Sequence, residues 1–160
     1  MDARLDELYA QLPTINCTGA CWGSCGPIDM THRERQRIRE HGVKIPHYTV
    51  TELAIVALSN EGAMCPALVN RRCSVYLARP LICRLYGITE AMKCPHGCVP
   101  SPRYLNDGET HDLFTEVMLI GGHELVGGMS EAEFRAHAAT QRRTFRPTVR
   151  MRAFEQRGQR

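Results

Sequence analysis

The amino-acid sequence predicts a small α-rich or irregular domain with few or no strands, organised around one or more metal–thiolate centres. Three observations support this fold class. The 160-residue chain contains eight cysteines, and only 6% of its residues are aromatic. Short amphipathic segments alternate with loops that contain glycine and proline, which is typical of short helices joined by turns. We therefore expect metal–thiolate bonds, rather than a large apolar interior, to organise the core.

Two short helices are predicted in the first part of the chain. Residues 2–12 place leucines on one face of a helix, which Pro13 ends. Thr31 and Glu34 have the spacing of a capping box, in which a threonine hydroxyl and a glutamate carboxylate satisfy the first free amides of a helix. That helix is predicted to reach about residue 41 and to bury only one narrow side.

The middle of the chain gives weaker signals for regular structure. Residues 49–58 are too short and too mixed in composition to decide between a helix and a strand. Residues 64–87 predict a turn, a short helical piece and a second helical turn that begins at Pro80. The segment 94–98, with the sequence CPHGC, is predicted to be a loop. We expect His96 in this loop to be exposed to solvent rather than to bind a metal.

Two further helices are predicted in the C-terminal part. Residues 111–120 have an apolar face and form the first of them. Ser130 and Glu133 form a second capping box, and the helix that they open is predicted to reach about Phe145.

Cysteine is the strongest indication of chemistry. The spacing is C-x3-C-x3-C in the first group, followed after a gap by C-x7-C-x9-C-x10-C-x3-C. Thiolates bind soft and borderline metals strongly. Four disulfides are the alternative, but nothing in the sequence points to export, and a reducing cytosol keeps thiols free. The candidate metal ligands are Cys17, Cys21, Cys25, Cys65, Cys73, Cys83, Cys94 and Cys98.

The central cysteines lie in a motif that resembles a known family. The segment CSVYLARPLICR, over residues 73–84, is similar to the signature of the YkgJ-type cysteine-cluster family. The resemblance covers roughly residues 17–98 and implies a zinc- or iron-chelating domain. The first cysteine group departs from the family pattern, because Gly26 follows Cys25 where the family often has two adjacent cysteines. Cys98 is a candidate replacement for the missing cysteine.

The spacing favours a [4Fe–4S] cluster over zinc as the cofactor. Zinc sites commonly use C-x2-C knuckles, whereas the close cysteine pairs of this chain are all C-x3-C. An iron–sulfur cluster spreads its thiolates more widely and tolerates such spacing. Zinc is the alternative cofactor. Eight thiols would serve either one cluster and one structural zinc, or two four-thiolate centres.

Three residues of the central motif are candidates for contacts around the metal. Arg79 and Arg84 flank Cys83, and a guanidinium near thiolates would stabilise their negative charge and raise a cluster's reduction potential. The alternative is that Arg79 lies on the surface and that the Arg-Pro pair only begins a helix. Tyr76 would either donate a hydrogen bond to sulfur or pack against its neighbours.

An arginine-rich arm follows the last predicted helix. We assign residues 1–130 to a cysteine-cluster domain with flanking helices, and residues 131–160 to a helix plus this arm. Basic residues alternating with apolar ones are typical of a surface that binds nucleic acid or an acidic protein. A solvated tail is the alternative interpretation. The candidate partner-binding residues are Arg142, Arg143, Arg146, Arg150 and Arg152.

Together these observations predict a cytoplasmic metal-binding protein, with a [4Fe–4S] cluster in a redox, sensor or accessory role. One alternative is a zinc-stapled module that binds a protein or nucleic acid through the basic arm. Another is a metal- or cluster-dependent enzyme, by analogy with flagellin lysine methylases related to the family, although fold-level analogy alone does not establish an enzyme. No apolar run approaches the length of a membrane helix, so no membrane partner is expected.

Overall fold

The computed structural model describes residues 2–58, 64–122 and 127–146. About half of the described residues are helical and few of them lie in strands, which agrees with the expected α-rich, irregular class. The helices are α1 (Asp2–Ala10), α2 (His32–Glu40), α3 (Val50–Leu58), α4 (Leu81–Leu85), α5 (Asp107–Gly121) and α6 (Glu131–Gln141). The strands are β1 (Thr14–Ile15), β2 (Leu68–Val69), β3 (Arg72–Cys73) and β4 (Pro100–Ser101). Two short 3-10 helices span Ala20–Ser24 and Tyr76–Ala78.

Reciprocal capping boxes set where several helices begin. The structure confirms two predicted boxes: Thr31 with Glu34 before α2, and Ser130 with Glu133 before α6. A third box, of Asn106 with Glu109, starts α5 about four residues earlier than the apolar pattern predicted.

The ambiguous segment 49–58 is helical because it has local capping contacts of the same kind. The Thr49 amide donates to Glu52 Oε2 at 2.7 Å, and the Glu52 amide donates to Thr49 Oγ1 at 3.2 Å. These contacts satisfy two amides that the first turn of a helix leaves without a partner in the helix itself. They make the helix the favoured structure for α3.

Two antiparallel strand pairs connect distant parts of the chain. Strand β1 pairs with β4 in the register Thr14 to Ser101. Strands β2 and β3 form a hairpin, in the register Leu68 to Cys73, that the sequence predicted only as a turn. Asn70 and Arg71 at its tip have φ of 50° and 62°, the left-handed conformation of a two-residue hairpin turn.

Two apolar clusters form the core, so the apolar interior is larger than expected from the sequence. The first joins α1, α4 and α5 with the loop after α4, and the second joins α2 to the hairpin and the turn that follows it. The first consists of Leu5, Leu8, Tyr9, Leu81, Leu85, Ile88, Met92 and Val117. The second consists of Met30, Ile38, Ile45, Ala67, Val75 and Ala78.

The carboxylate of Glu34 connects three helices in the buried interior. It accepts a hydrogen bond at 2.7 Å from the Tyr9 hydroxyl of α1 and another at 2.6 Å from the Leu81 amide, the first of α4. Its second oxygen accepts from the Thr31 amide and hydroxyl, both at 2.9 Å. Only 3% of Glu34 is exposed. The side chain therefore acts at once as a helix cap and as a long-range connection.

The C-terminal end of α5 lies directly against the start of α2. The His32 amide donates to the Gly122 carbonyl at 3.0 Å. A Cβ atom at Gly121 would lie 2.1 Å from the hydroxyl oxygen of Thr31. Only glycine fits here without displacing the Thr31 cap.

Helix α6 and the residues after it pack along α5. Phe134 and Ala138 are buried on the facing side of α6. Arg142 forms a two-pronged ion pair with Asp112 at 2.8 Å for both contacts. The proposed division of the chain at residue 130 stays a prediction.

Substituting Glu34 by alanine is expected to lower the free energy of unfolding by about 3 kcal/mol, because the Leu81 amide and the Tyr9 hydroxyl would stay buried without partners. Urea denaturation followed by circular dichroism measures the change. Glu40→Ala is the matched control: Glu40 is an exposed glutamate of α2 that pairs with Arg33, and its loss is expected to cost less than about 0.5 kcal/mol. Equal losses for the two variants would contradict a special role for Glu34.

Gly121→Ala is expected to lower the free energy of unfolding by about 2 kcal/mol, since the clash with Thr31 outweighs the gain in helix propensity. Gly23→Ala is the control, because an added Cβ at Gly23 meets no atom within 4 Å. Thermal unfolding of both variants beside the parent chain measures the difference. A Gly121→Ala variant as stable as the parent would show that α5 and α2 do not pack this closely.

Candidate metal centre

All eight cysteines lie within the described part of the chain, and all eight are free thiols. Three lie in the loop around the 3-10 helix Ala20–Ser24, two lie before and within the hairpin, one lies in α4, and two lie in the loop before β4. Cys17 is exposed and the other seven are partly buried. The cysteines thus come from four separate segments of the chain.

Four of the cysteines, which we call the hairpin group, adjoin the β2–β3 hairpin. They are Cys25, Cys65, Cys73 and Cys83. The Cys65 amide donates to the Cys25 carbonyl at 3.1 Å, which joins the first cysteine loop to the segment before the hairpin. The Arg71 guanidinium lies over the Trp22 ring, 4.8 Å from its centroid, and ties the hairpin tip to the same loop.

Burial and mutual repulsion raise the pKa of three hairpin-group thiols, those of Cys25, Cys65 and Cys83. Burial is the largest cause for Cys25, whose pKa rises to about 11, and the neighbouring Cys65 and Cys73 raise it further. Burial likewise raises the pKa of Cys83 far above its ordinary value, with Cys65 and Cys25 adding to the effect. Without a bound cation the thiols of Cys25 and Cys83 are therefore neutral at neutral pH.

The other four cysteines, which we call the loop group, adjoin the end of the β1–β4 pair. They are Cys17, Cys21, Cys94 and Cys98. Cys17 lies two residues after the end of β1, where its amide donates to the Ile15 carbonyl at 3.0 Å, and Cys98 lies two residues before β4 begins. Gly87, which has φ of 89°, lies beside Cys94: a Cβ atom added to Gly87 would be 3.6 Å from the Cβ of Cys94.

Hydrogen bonds to sulfur distinguish the loop group. The Gly19 amide donates to Cys17 Sγ at 3.3 Å, and the Thr18 hydroxyl lies 3.9 Å from Cys98 Sγ. The Thr18 amide also donates to Cys98, and this bond is the largest cause of the lowered pKa of Cys98; the thiol of Cys94 is the second. Amide donors aimed at sulfur are a common feature of metal–thiolate centres.

Cys21 and Tyr86 lie where the two groups meet. Burial raises the pKa of Cys21 to about 11, and its cysteine neighbours Cys17, Cys25 and Cys94 belong to both groups. The Tyr86 hydroxyl lies 3.1 Å from the Ser24 hydroxyl. Burial raises the pKa of Tyr86, and so do Cys21, Cys94 and Cys25. The sequence analysis missed Tyr86, whose only local signal is its position three residues after Cys83.

Of the two arginines beside Cys83, the structure places Arg79 next to the thiols. Its positive charge lowers the pKa of Cys25 and of Cys83, against the effect of burial. Its guanidinium lies over the Tyr76 ring, 3.5 Å from the centroid, and donates to the Tyr76 carbonyl at 2.9 Å. Tyr76 thus holds Arg79 through its ring and backbone. That both residues serve a bound metal stays a prediction.

Arg84 is directed toward the first apolar cluster. It lies over the Tyr9 ring, 4.2 Å from the centroid, and donates to the carbonyls of Arg79 and Leu77. These contacts give it a role in packing α4 against α1.

The donor set fits thiolate-bound zinc or iron, although the thiols do not converge on one point. Among residues 2–58, 64–122 and 127–146, no three His, Cys, Asp or Glu side chains are arranged to hold a single metal ion. A tetrahedral zinc centre needs sulfur atoms about 3.8 Å apart, because each Zn–S bond measures about 2.3 Å. The cysteine side chains of each group would have to rotate to bring their sulfur atoms to this separation. The loop residue His96 is exposed, as the sequence predicted.

The first residues of the arginine-rich arm contact the protein itself. Arg142 pairs with Asp112, and Arg146 lies 3.6 Å from Asp107, while the Arg143 side chain is exposed. Arg150 and Arg152 lie outside the described residues. Binding of a partner through this arm stays a prediction.

The fold and the site define a small helical protein whose cysteines gather from four segments, a cysteine-cluster protein. The chain belongs to the CxxCxxCC family, described as "Putative zinc- or iron-chelating domain", whose family model matches residues 16–99. This confirms the resemblance noted in the sequence. No match was found among curated proteins or among solved structures. None of the described helices has both the length and the apolarity to cross a bilayer.

Arg79→Gln is expected to raise the pH at which half of the bound metal is released by up to about 1 unit. Removing the positive charge raises the pKa of Cys25 and Cys83, so protons compete with the metal at higher pH. Acid titration with a metal indicator measures this midpoint. Arg84→Gln is the control, and it is expected to lower stability without moving the midpoint. An equal shift in both variants would contradict the assignment of Arg79.

Proposed function

We propose that this chain is a cytoplasmic protein that holds a [4Fe–4S] cluster through its cysteines and serves in a redox, sensor or accessory role. The observation that carries the proposal is the gathering of eight free thiols from segments that span the family domain. A bound cluster would supply one-electron redox chemistry or sensitivity to oxidants.

Two features favour a cluster over zinc. The close cysteine pairs are C-x3-C rather than C-x2-C, and the thiols are neighbours without three of them converging, among the described residues, on a single-ion site. A cluster needs its thiolates further apart than one zinc ion does. Amide donors to Cys17 and Cys98 and the charge of Arg79 would stabilise the negative charge of a thiolate-bound cluster.

The chain's own residues would bind and orient the cofactor. Cys83 lies in α4 between the buried Leu81 and Leu85, so the helix fixes the position of this ligand. Cys65 and Cys73 pack against the second apolar cluster, which limits access of water to that side. Each thiol must lose its proton to bind, and therefore binding is expected to weaken as the pH falls.

Anaerobic purification, an absorption spectrum and elemental analysis test the proposal. We expect a brown protein that bleaches on reduction and contains iron and acid-labile sulfide in equal amounts. If the protein contains zinc and no iron, the proposed cluster is wrong and the protein is a zinc-stapled module. Absence of both metals from the anaerobically purified chain would refute metal binding.

Cys83→Ser is expected to reduce both metal content and the resistance of the protein to thermal unfolding, since metal–thiolate bonds form only in the folded state. Elemental analysis and a melting curve on the same sample measure the two effects. His96→Ala, in an exposed loop position between two cysteines, is the control and should change neither. Full metal content in Cys83→Ser would contradict the assignment of this cysteine.

A further inference from the structure

We propose that the eight cysteines form two separate four-thiolate metal centres, one in the hairpin group and one in the loop group. The inference rests on the proposed function and goes beyond it, because it assigns each cysteine to a centre. The hairpin centre takes Cys25, Cys65, Cys73 and Cys83, and the loop centre takes Cys17, Cys21, Cys94 and Cys98.

The number of donors supports two centres. Four thiolates complete a tetrahedral zinc site, and four also complete a [4Fe–4S] cluster. Eight thiols are therefore twice what one centre requires. We assign them four and four, since the neighbours of Cys83 are Cys65, Cys25 and Cys73, whereas Cys98 lies beside Cys94 and the segment that begins at Cys17. Cys21 has neighbours in both groups and completes the loop group as its fourth thiol.

Separate elements of the fold build each group. The hairpin group depends on the β2–β3 hairpin, on α4 and on the hydrogen bond from the Cys65 amide to the Cys25 carbonyl. The loop group depends on the β1–β4 pair, which brings the segment after Ile15 beside the segment before Pro100, and the Thr18 hydroxyl lies 3.9 Å from Cys98 Sγ there.

Independent evidence that the loop group binds a ligand comes from the donors aimed at its sulfur atoms. The Gly19 amide donates to Cys17 Sγ at 3.3 Å, and the Thr18 hydroxyl lies 3.9 Å from Cys98 Sγ. Both donors belong to the turn between Cys17 and Cys21, where Gly19 has φ of 74°. A turn of this kind directs polar groups at sulfur, and it resembles the backbone around bound metal–thiolate centres.

The short 3-10 helix Ala20–Ser24 divides its cysteines between the groups. Cys21 lies inside the helix, and Cys25 ends it with an extended backbone at φ −76° and ψ 100°. The helix thus supplies one ligand to each centre. The two centres adjoin here, next to Ser24 and Tyr86, which are joined by a 3.1 Å hydrogen bond.

Two double variants of the full-length chain, purified anaerobically, test the division. Cys17→Ser with Cys98→Ser removes two ligands of the loop group, and Cys73→Ser with Cys83→Ser removes two of the hairpin group. Metal and sulfide per chain are measured beside the parent protein. Each double variant is expected to retain about half of the parent's metal.

Other outcomes separate this inference from the proposed function. Complete loss of metal in the loop variant, with its helical circular dichroism intact, would show one shared centre and overturn the inference. Full retention in the loop variant would overturn it too, because those thiols would not be ligands. A parent chain without metal would refute the proposed function itself.

The metal content of the native parent protein gives a measurement that needs no variant. With two centres, the chain contains about eight irons, about two zinc ions, or about four irons and one zinc ion. With one centre it contains about four irons or about one zinc ion, and this result would overturn the inference even if the hairpin variant fails to fold.

Discussion

A single buried carboxylate, that of Glu34, is the constraint on which the rest of the structure depends. It accepts hydrogen bonds from α1 through Tyr9, from its own cap through Thr31, and from α4 through the Leu81 amide. A buried charge is tolerated only when it is fully paired. Arg84 over the Tyr9 ring adds a positive charge nearby, and its carbonyl contacts hold α4, and with it Cys83, in place.

This arrangement explains how a chain with few aromatic residues positions so many thiols. The two apolar clusters and the Glu34 network position the segments that carry the cysteines. Burial then raises the pKa of Cys25 and Cys83, so that these two unbound thiols are neutral rather than mutually repelling thiolates. A cation that binds displaces those protons, and its binding free energy adds to the folding free energy.

The sequence predicted the features that depend on local contacts and missed those that depend on distant ones. The capping boxes at Thr31 and Ser130 are local, and both are confirmed. The hairpin was missed because its turn is Asn70-Arg71, which lacks the usual glycine. The grouping of Cys17 with Cys98 depends on the pairing of β1 with β4, which lie more than half of the chain apart in the sequence. The spacing of the cysteines therefore does not predict it.

The two arginines beside Cys83 show why neighbours in sequence need not act on the same site. Successive residues of a helix point about 100° apart, so Arg84 within α4 turns away from Cys83 and lies over Tyr9. Arg79 precedes the helix, and its stacking on Tyr76 keeps its charge beside Cys83 and Cys25. The charge of Arg79 therefore bears on the hairpin group, whereas the loop group has amide donors at its sulfur atoms. Two neighbouring thiol groups that are stabilised by different means would differ in redox potential and in affinity for metal.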